Sequence, residues 1–183
     1  LIVSMAGGLD ANGMVLNLSE VKHAIRSEIT EQLDFRFLNE AWPEFDVSSS
    51  EGCLPTTEAL VRIIWSRLAN QLPLVALRLY ESTGLWADYL GQTMDAYLTI
   101  RTHFAAAHRL ARPELSQEEN ELIYGKCTRP HGHGHNYLVD VTVRGSIDPR
   151  TGMVCDLAAL QRLVSDLVVE PFDHTFLNKD VPH

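Results

Sequence analysis

Hydrophobic residues recur with helical spacing in three segments of the chain. In residues 18–33, apolar side chains stand at 18, 21, 25, 29 and 33, which is the spacing of one face of an α-helix. Residues 55–72 and 156–172 show the same helical pattern of apolar residues. Thr56 or Thr57 could cap the helix over 55–72, because a hydroxyl can accept a hydrogen bond from the free N–H groups of the first turn. The pattern therefore predicts three helices.

Shorter apolar stretches bounded by turn residues predict five strands. They cover residues 3–7, 74–81, 86–91, 97–108 and 137–145. Combined with the helices, the order within one unit becomes two strands, two helices and two strands. That order is typical of an α+β fold in which two helices cover one face of an antiparallel sheet.

An internal repeat links the two ends of the chain. GMVLNL recurs as GMVCDL and LDFRFLN recurs as FDHTFLN, both at an offset of 139 residues, and residues 13–43 share ten identities in 31 positions with their counterparts. A fixed offset over such a length predicts a tandem repeat. Residues 1–91 would be the later part of a first unit and residues 95–183 the earlier part of a second. We expect a fragment of a longer two-unit protein, with a permuted single unit as the alternative.

Composition and charge narrow the possible partners. Hydrophobic residues make up 45% and charged residues 21% of the 183 residues, as in ordinary globular proteins, and the formal net charge is −9. An acidic chain is a poor match for the phosphates of a nucleic acid. Apolar runs fall short of the ~18 residues that a membrane-spanning helix needs. Three widely spaced cysteines favour a reducing, cytosolic compartment.

A cluster of histidines predicts a metal centre. In HGHGHNY (131–137), His133 and His135 stand two residues apart, so on an extended chain their side chains point to the same side. His108 ends the preceding strand, and a hairpin would bring it beside them. Three imidazoles leave a fourth coordination position open, as in catalytic zinc sites. His131 is a rival ligand, and an exposed histidine-rich loop that binds metal adventitiously is the alternative interpretation.

Cys127 is the candidate proton acceptor. It lies six residues before His133, next to Lys126 and close to Arg129, and a thiol near such cations is expected to ionise readily. The alternative is an inert, small hydrophobic residue. That alternative is the one we expect for Cys155, whose counterpart in the repeat is Leu16. Cys53 receives no role.

Two acidic residues complete the set of candidates. Asp173 precedes His174, and a carboxylate can orient an imidazole and stabilise its protonated form. The counterpart pair is Asp34–Phe35, so the first unit lacks the imidazole. Glu81 ends an apolar strand, where its carboxylate could accept two N–H groups from a guanidine-like ring edge; a solvated glutamate is the alternative.

These motifs together resemble one known family. FAAAHRL, GKC, GHGHNY, DPRTGMV, FDHTFLN, PTTE and YE are similar to the motifs of 6-pyruvoyl tetrahydropterin synthase and its relative 6-carboxytetrahydropterin synthase. The resemblance implies the tunnelling fold. In that fold, subunits of a homo-oligomer join their sheets into a barrel, and the active sites lie at subunit interfaces.

The resemblance also implies an activity. The implied substrate is 7,8-dihydroneopterin triphosphate, converted to 6-pyruvoyl tetrahydropterin with loss of triphosphate, in tetrahydrobiopterin biosynthesis. The 6-carboxytetrahydropterin reaction of queuosine biosynthesis is one alternative, and a non-catalytic pterin-binding unit is another. The Cys-x5-His spacing resembles the pyruvoyl branch. The implied cofactor is Zn²⁺, with Mg²⁺ as an additional ion on the triphosphate. The implied zinc ligands are His108, His133 and His135, the proton-transfer residues are Cys127, Asp173 and His174, and the substrate-binding residues are Glu81, Thr56 and Thr57.

Overall fold

The computed structural model describes residues 1–181 of the chain, and these form two compact units. Unit 1 consists of Leu1–Ile100 and Thr142–Asp156. Unit 2 consists of Arg101–Val141 and the described residues from Leu157 onward. The sequence repeat predicted another division, into residues 1–91 and 95–183, and that division stays a prediction.

Unit 1 contains an antiparallel sheet. Its strands are β1 (Ile2–Met5), β2 (Leu74–Ser82), β3 (Leu85–Tyr89), the first part of β4 (Asp95–His108) and the last part of β5 (His133–Ser146). They neighbour one another in that order, and Leu77 opposes both Val3 and Tyr89. Its helices are α1 (Leu18–Ile25), α2 (Glu31–Leu33), α3 (Leu38–Ala41) and α4 (Thr57–Leu68), with a 3₁₀ turn at Pro43–Phe45.

Helix α4 covers the face of β2 and β3 and forms the core of unit 1. Its buried face includes Val61, Ile64 and Leu68, and Leu77 and Ala87 are buried on the strands. Full burial of a side chain such as Leu or Ile contributes about 1.5–3 kcal/mol to folding. The apolar periodicity that predicted this helix therefore marks the face that holds the unit together.

Two helical segments contain a π-helical turn that the sequence pattern did not predict. In unit 1, α1 continues through the π-helix Arg26–Thr30 into α2. In unit 2, α6 (Leu157–Val164) continues through Ser165–Val169 into α7 (Glu170–Phe172). The helices expected at 18–33 and 156–172 are thus confirmed in extent, while one turn of each has the wider i→i+5 hydrogen bonding.

Unit 2 contains the remaining parts of β4 and β5, which are neighbours, and the short strand β6 (Thr175–Phe176). β6 runs parallel to β4, with Ala106 opposite Thr175. Strand β5 begins at His133, whereas the sequence predicted a start at 137. Helix α5 (Gln117–Tyr124) and the 3₁₀ turn Gly125–Thr128 were not predicted, and α8 (Leu177–Asp180) follows β6.

The expected α+β class is confirmed, with α4 packed on antiparallel strands of the sheet. The sheet in residues 1–181 is open, since its strands follow one path from β1 to β5. Closure into a barrel between subunits stays a prediction. Within the same described residues, the helices are too short or too polar to cross a membrane.

Candidate metal centre

Two neighbouring strands of unit 2 bring three imidazoles together. His133 and His135 point to one side of β5 because side chains alternate along a strand. His108 is the last residue of β4. One ring nitrogen from each histidine lies within 4.8 Å of the other two, and His108 Nε2 is 3.1 Å from His133 Nε2. The structure therefore assembles the group that the sequence indicated.

The geometry and chemistry of this group fit a divalent metal ion. Two imidazole nitrogens bound at 2.0–2.1 Å to one tetrahedral zinc ion would be about 3.3 Å apart, close to the 3.1 Å between the Nε2 atoms of His108 and His133. Burial first, and then the neighbouring imidazoles of His133 and His135, lower the pKa of His108. The neutral imidazole that results is the form that binds metals.

His131 does not join this group within the described part of the chain. It is exposed in the turn before β5. The next residue, Gly132, has φ +66°, and a Cβ there would lie 2.6 Å from the carbonyl oxygen of His108. The chain can approach β4 this closely because the residue is glycine. His131 is thereby left outside the strand whose side chains converge.

Asp173 and His174 are fixed to the same strand that carries His108. Asp173 Oδ1 accepts a hydrogen bond from Ala105 N at 2.8 Å, and its Oδ2 lies 2.8 Å from His174 Nδ1. His174 N donates to Ala105 O at 2.6 Å. The Ala105 backbone N–H, and then the His174 side chain, lower the pKa of Asp173. The carboxylate therefore lies within hydrogen-bonding distance of the imidazole, and it also ties the segment to β4.

His174 and one of the candidate metal ligands border the same cavity. This cavity has a volume of about 360 Å³, and both His135 and His174 line it, together with small residues at 105–107 and Gly134. The volume lies in the range of small-molecule sites. Small side chains leave the space between the two imidazoles open, so a ligand could contact both.

Cys127 lies in the 3₁₀ turn Gly125–Thr128, half-buried and not in a disulfide. Its carbonyl oxygen accepts a hydrogen bond from Leu110 N at 2.9 Å. Leu110 is two residues beyond His108, so the segment carrying Cys127 is attached close to a candidate metal ligand. The other cysteines differ: Cys155 is half-buried rather than packed in the core, and Cys53 is buried with its Sγ 3.6 Å from Glu44 O.

The remaining candidates lie in unit 1. Thr56 is the N-cap of α4 and accepts from Ala59 N at 3.2 Å. Thr57 is not a cap, because it is already the first helical residue and its hydroxyl donates to Glu81 Oε2. Glu81 is exposed but has this partner. A threonine that holds a carboxylate in one orientation is consistent with a role in binding.

Sequence reasoning missed two residues that hold the segments around the histidines. The Asn178 side chain bonds the backbone of Arg109, and the Arg109 side chain bonds Thr128 O. The sequence contained one indication of Asn178, because this residue and its counterpart Asn39 are identical in the repeat.

The 6-pyruvoyl tetrahydropterin synthase family model matches residues 1–92 and 97–183. The chain belongs to this family. Curated members named 6-pyruvoyl tetrahydrobiopterin synthase include one from Poecilia reticulata, 53% identical over 87 residues, covering 48% of this chain and 59% of the relative. The one from Homo sapiens is 48% identical over 93 residues, covering 51% and 64%.

A putative 6-carboxy-5,6,7,8-tetrahydropterin synthase from Archaeoglobus fulgidus is 35% identical over 87 residues, covering 48% of this chain and 63% of the relative. The solved Caenorhabditis elegans 6-pyruvoyl tetrahydropterin synthase is 46% identical, with a TM-score of 0.45 over 48% of this chain and 61% of that one. The chain thus spans about three-fifths of the length of the family members it matches.

Proposed function

We propose that this chain is part of a zinc-dependent lyase that converts 7,8-dihydroneopterin triphosphate to 6-pyruvoyl tetrahydropterin with release of triphosphate. The observation that carries the proposal is the shared cavity of unit 2. A metal ligand, His135, and an imidazole oriented by a carboxylate, His174, face the same space. A metal site and a proton-transfer group on one cavity suit a reaction that moves protons on carbons bearing hydroxyl groups.

Each candidate residue then has a role. A zinc ion held by His108, His133 and His135 would supply a Lewis acid for the side-chain hydroxyls of the substrate. Cys127 would accept a proton bound to carbon. His174, oriented by Asp173, would carry protons between the substrate and this thiol. The side chain would lose triphosphate by elimination and give two electrons to the ring, which is reduced from the dihydro to the tetrahydro level, so the reaction balances without an external oxidant or reductant.

The pterin ring of the substrate would be held by Glu81. The Glu81 carboxylate can accept the adjacent N–H donors of a pterin edge in bidentate fashion. The Thr57 hydroxyl already holds one of its oxygens, and Thr56 fixes the start of the same helix. Mg²⁺ would accompany the triphosphate of the substrate.

Two observations support the pyruvoyl product over the carboxy product. Relatives named for the pyruvoyl activity are 40–53% identical in the matched region, against 35% for the putative 6-carboxy enzyme. The Cys-x5-His spacing between Cys127 and His133 points the same way. Product analysis separates the two, because the carboxy reaction releases acetaldehyde and the pyruvoyl reaction does not.

Cys127→Ala tests the proposed function. We expect turnover of dihydroneopterin triphosphate to fall by about 10²-fold or more, since a general base contributes 10²–10⁴-fold. Zinc content, measured by metal analysis of the purified chain, should stay at the value of the unsubstituted protein. Cys155→Ala is the matched control, because that thiol is outside the site. Full turnover in Cys127→Ala would contradict the role of the thiol.

A non-catalytic pterin-binding unit is the second candidate for residues 1–91, because Phe35 occupies the position of the relay imidazole. The homo-oligomer with interface sites, the cytosolic compartment, the absence of a nucleic-acid partner and the pathway served, whether for tetrahydrobiopterin or queuosine, stay predictions from the sequence.

A further inference from the structure

Arg109, the residue after His108, is held by one side chain through both its backbone N–H and its backbone C=O. Arg109 N donates to Asn178 Oδ1 at 2.7 Å, and Asn178 Nδ2 donates to Arg109 O at 2.9 Å. A carboxamide that bonds both the N–H and the C=O of one residue fixes that residue's position and orientation. Because Arg109 directly follows His108, this pair of bonds fixes the end of β4 at the metal site.

The side chain of Arg109 holds the segment that carries Cys127. Its Nε donates to Thr128 O at 2.8 Å. The next residue, Leu110, donates from its backbone N to Cys127 O at 2.9 Å. Two consecutive carbonyls of the Cys127 turn are therefore bound by two consecutive residues after His108. The bond from the guanidinium is charge-assisted, and such bonds are the stronger kind.

Asn178 belongs to the segment that carries the relay imidazole. Residues 173–178 include Asp173 and His174, followed by β6, which pairs with β4 at Ala106 and Ala107. The bond from Asp173 to Ala105 N lies at the start of this segment, and the bonds from Asn178 to Arg109 lie at its end. The segment is thus attached at one end to β4, at Ala105, and at the other to Arg109, which directly follows the strand.

We propose that Arg109 and Asn178 are positioning residues that set the Cys127 turn and the His174 segment against His108. This rests on the proposed function, in which the thiol, the relay imidazole and the metal act on one substrate. Neither side chain is required to contact the substrate. Asn178 acts through the backbone of Arg109, and Arg109 acts through the backbone of Thr128, next to Cys127. Since a displacement of about 1 Å can cost about 10²-fold in rate, loosening this connection should impair catalysis without removing any reacting group.

Two substitutions test this connection, one at each end. Asn178→Asp keeps the acceptor for Arg109 N but replaces the donor to Arg109 O with a repelling oxygen. Arg109→Met keeps the side chain as far as the position of Nε and removes its bonds to Thr128 O and Gln117 Oε1. Asn39→Asp is the matched control, because within residues 1–181 the Asn39 side chain makes no hydrogen bond although it stands in the same FLN motif.

We expect both variants to lower kcat by about 10²-fold with KM changed less than about twofold, the pattern of groups that act in the transition state. Zinc content should remain that of the unsubstituted chain. Alkylation of Cys127 by iodoacetamide, followed by mass spectrometry of its peptide, should become severalfold faster, because the half-buried turn opens more often. Arg109→Lys, which retains a donor near Thr128 O, should recover part of the lost kcat.

Unchanged kcat and unchanged Cys127 alkylation in both variants would overturn the proposal. So would a loss of metal and of thermal stability with alkylation of Cys127 unaltered, because the residues would then be merely structural. If the unsubstituted chain shows no turnover, the proposed function fails, and the alkylation rates still decide whether Arg109 and Asn178 hold the Cys127 turn.

Discussion

Residues 13–35 and 152–174 have the same local backbone but different side chains at one decisive position. Gly13 and Gly152 have φ values of +77° and +70°, and Phe35 and His174 have values of +55° and +56°. The π-helical turns at Arg26–Thr30 and Ser165–Val169 also lie at the 139-residue offset. The geometry that presents His174 therefore exists equally where no imidazole stands.

The difference lies in what the side chains contact. Asp173 bonds Ala105 N and the His174 ring, and His174 borders a cavity with His135, a candidate metal ligand. Phe35 is 100% exposed. A left-handed, non-glycine residue is strained in both segments. Strain in this backbone is consequently a property of the fold, and the chemistry depends on the residue placed there.

Exchanging the two residues should produce the largest effect. His174→Phe gives the second segment the side chain of the first, and we expect kcat to fall by about 10²–10⁴-fold because the proposed proton-transfer group is lost. Phe35→His should leave turnover unchanged, since Phe35 lies in the segment of unit 1 that lacks the proposed metal ligands. Steady-state kinetics with dihydroneopterin triphosphate measure both.

Metal content and circular dichroism should be the same in both exchange variants, which separates chemistry from folding. Retention of at least a tenth of kcat by His174→Phe would remove the imidazole from the mechanism. Increased turnover in Phe35→His would show that unit 1 takes part in catalysis by itself.

The two glycines should differ in the cost of an added methyl group. A Cβ at Gly152 would lie 2.6 Å from Leu54 O and 3.0 Å from Ala59 Cβ, whereas a Cβ at Gly13 meets nothing within 4 Å. Gly13→Ala should cost about 1 kcal/mol, the penalty of the left-handed conformation alone. Gly152→Ala should cost about 3 kcal/mol, because overpacking adds to that penalty.

Urea unfolding followed by circular dichroism measures both glycine substitutions. Equal costs would show that the backbone at Leu54 moves away without resistance. The loop that follows Asp148 would then be less tightly packed in unit 1 than its contacts indicate.

The sequence predicted those helices and strands in which apolar side chains recur with a clear period. Helix α4 and strands β2 and β4 follow from apolar spacing and are confirmed. The π-helical turns were missed because one extra residue per turn barely changes the apolar pattern over 16 residues. The early start of β5 was missed because HGHGH contains glycine and polar residues rather than the β-branched residues typical of strands.

The candidate site was predictable where chemistry and local spacing coincide. His133 and His135 converge because of strand alternation, which the sequence shows directly. The bond from Asp173 to Ala105 joins residues 68 apart, and the pairing of β6 with β4 is parallel and two residues long. Such contacts depend on how segments pack, and no periodicity records them. For the same reason, the partner of Glu81 was found only in the structure.

Removing the strained side chain from each segment should give the smallest effects and separate strain from function. Phe35→Gly should stabilise the chain by about 0.5–1 kcal/mol, because relief of the left-handed strain exceeds the entropic cost of glycine. His174→Gly should stabilise it less, since the bond to Asp173 is lost as well. Thermal unfolding at fixed protein concentration measures the difference. Destabilisation by Phe35→Gly would show that the exposed ring makes a stabilising contact. The first segment would then use this position for a contact, whereas the second uses it for an imidazole.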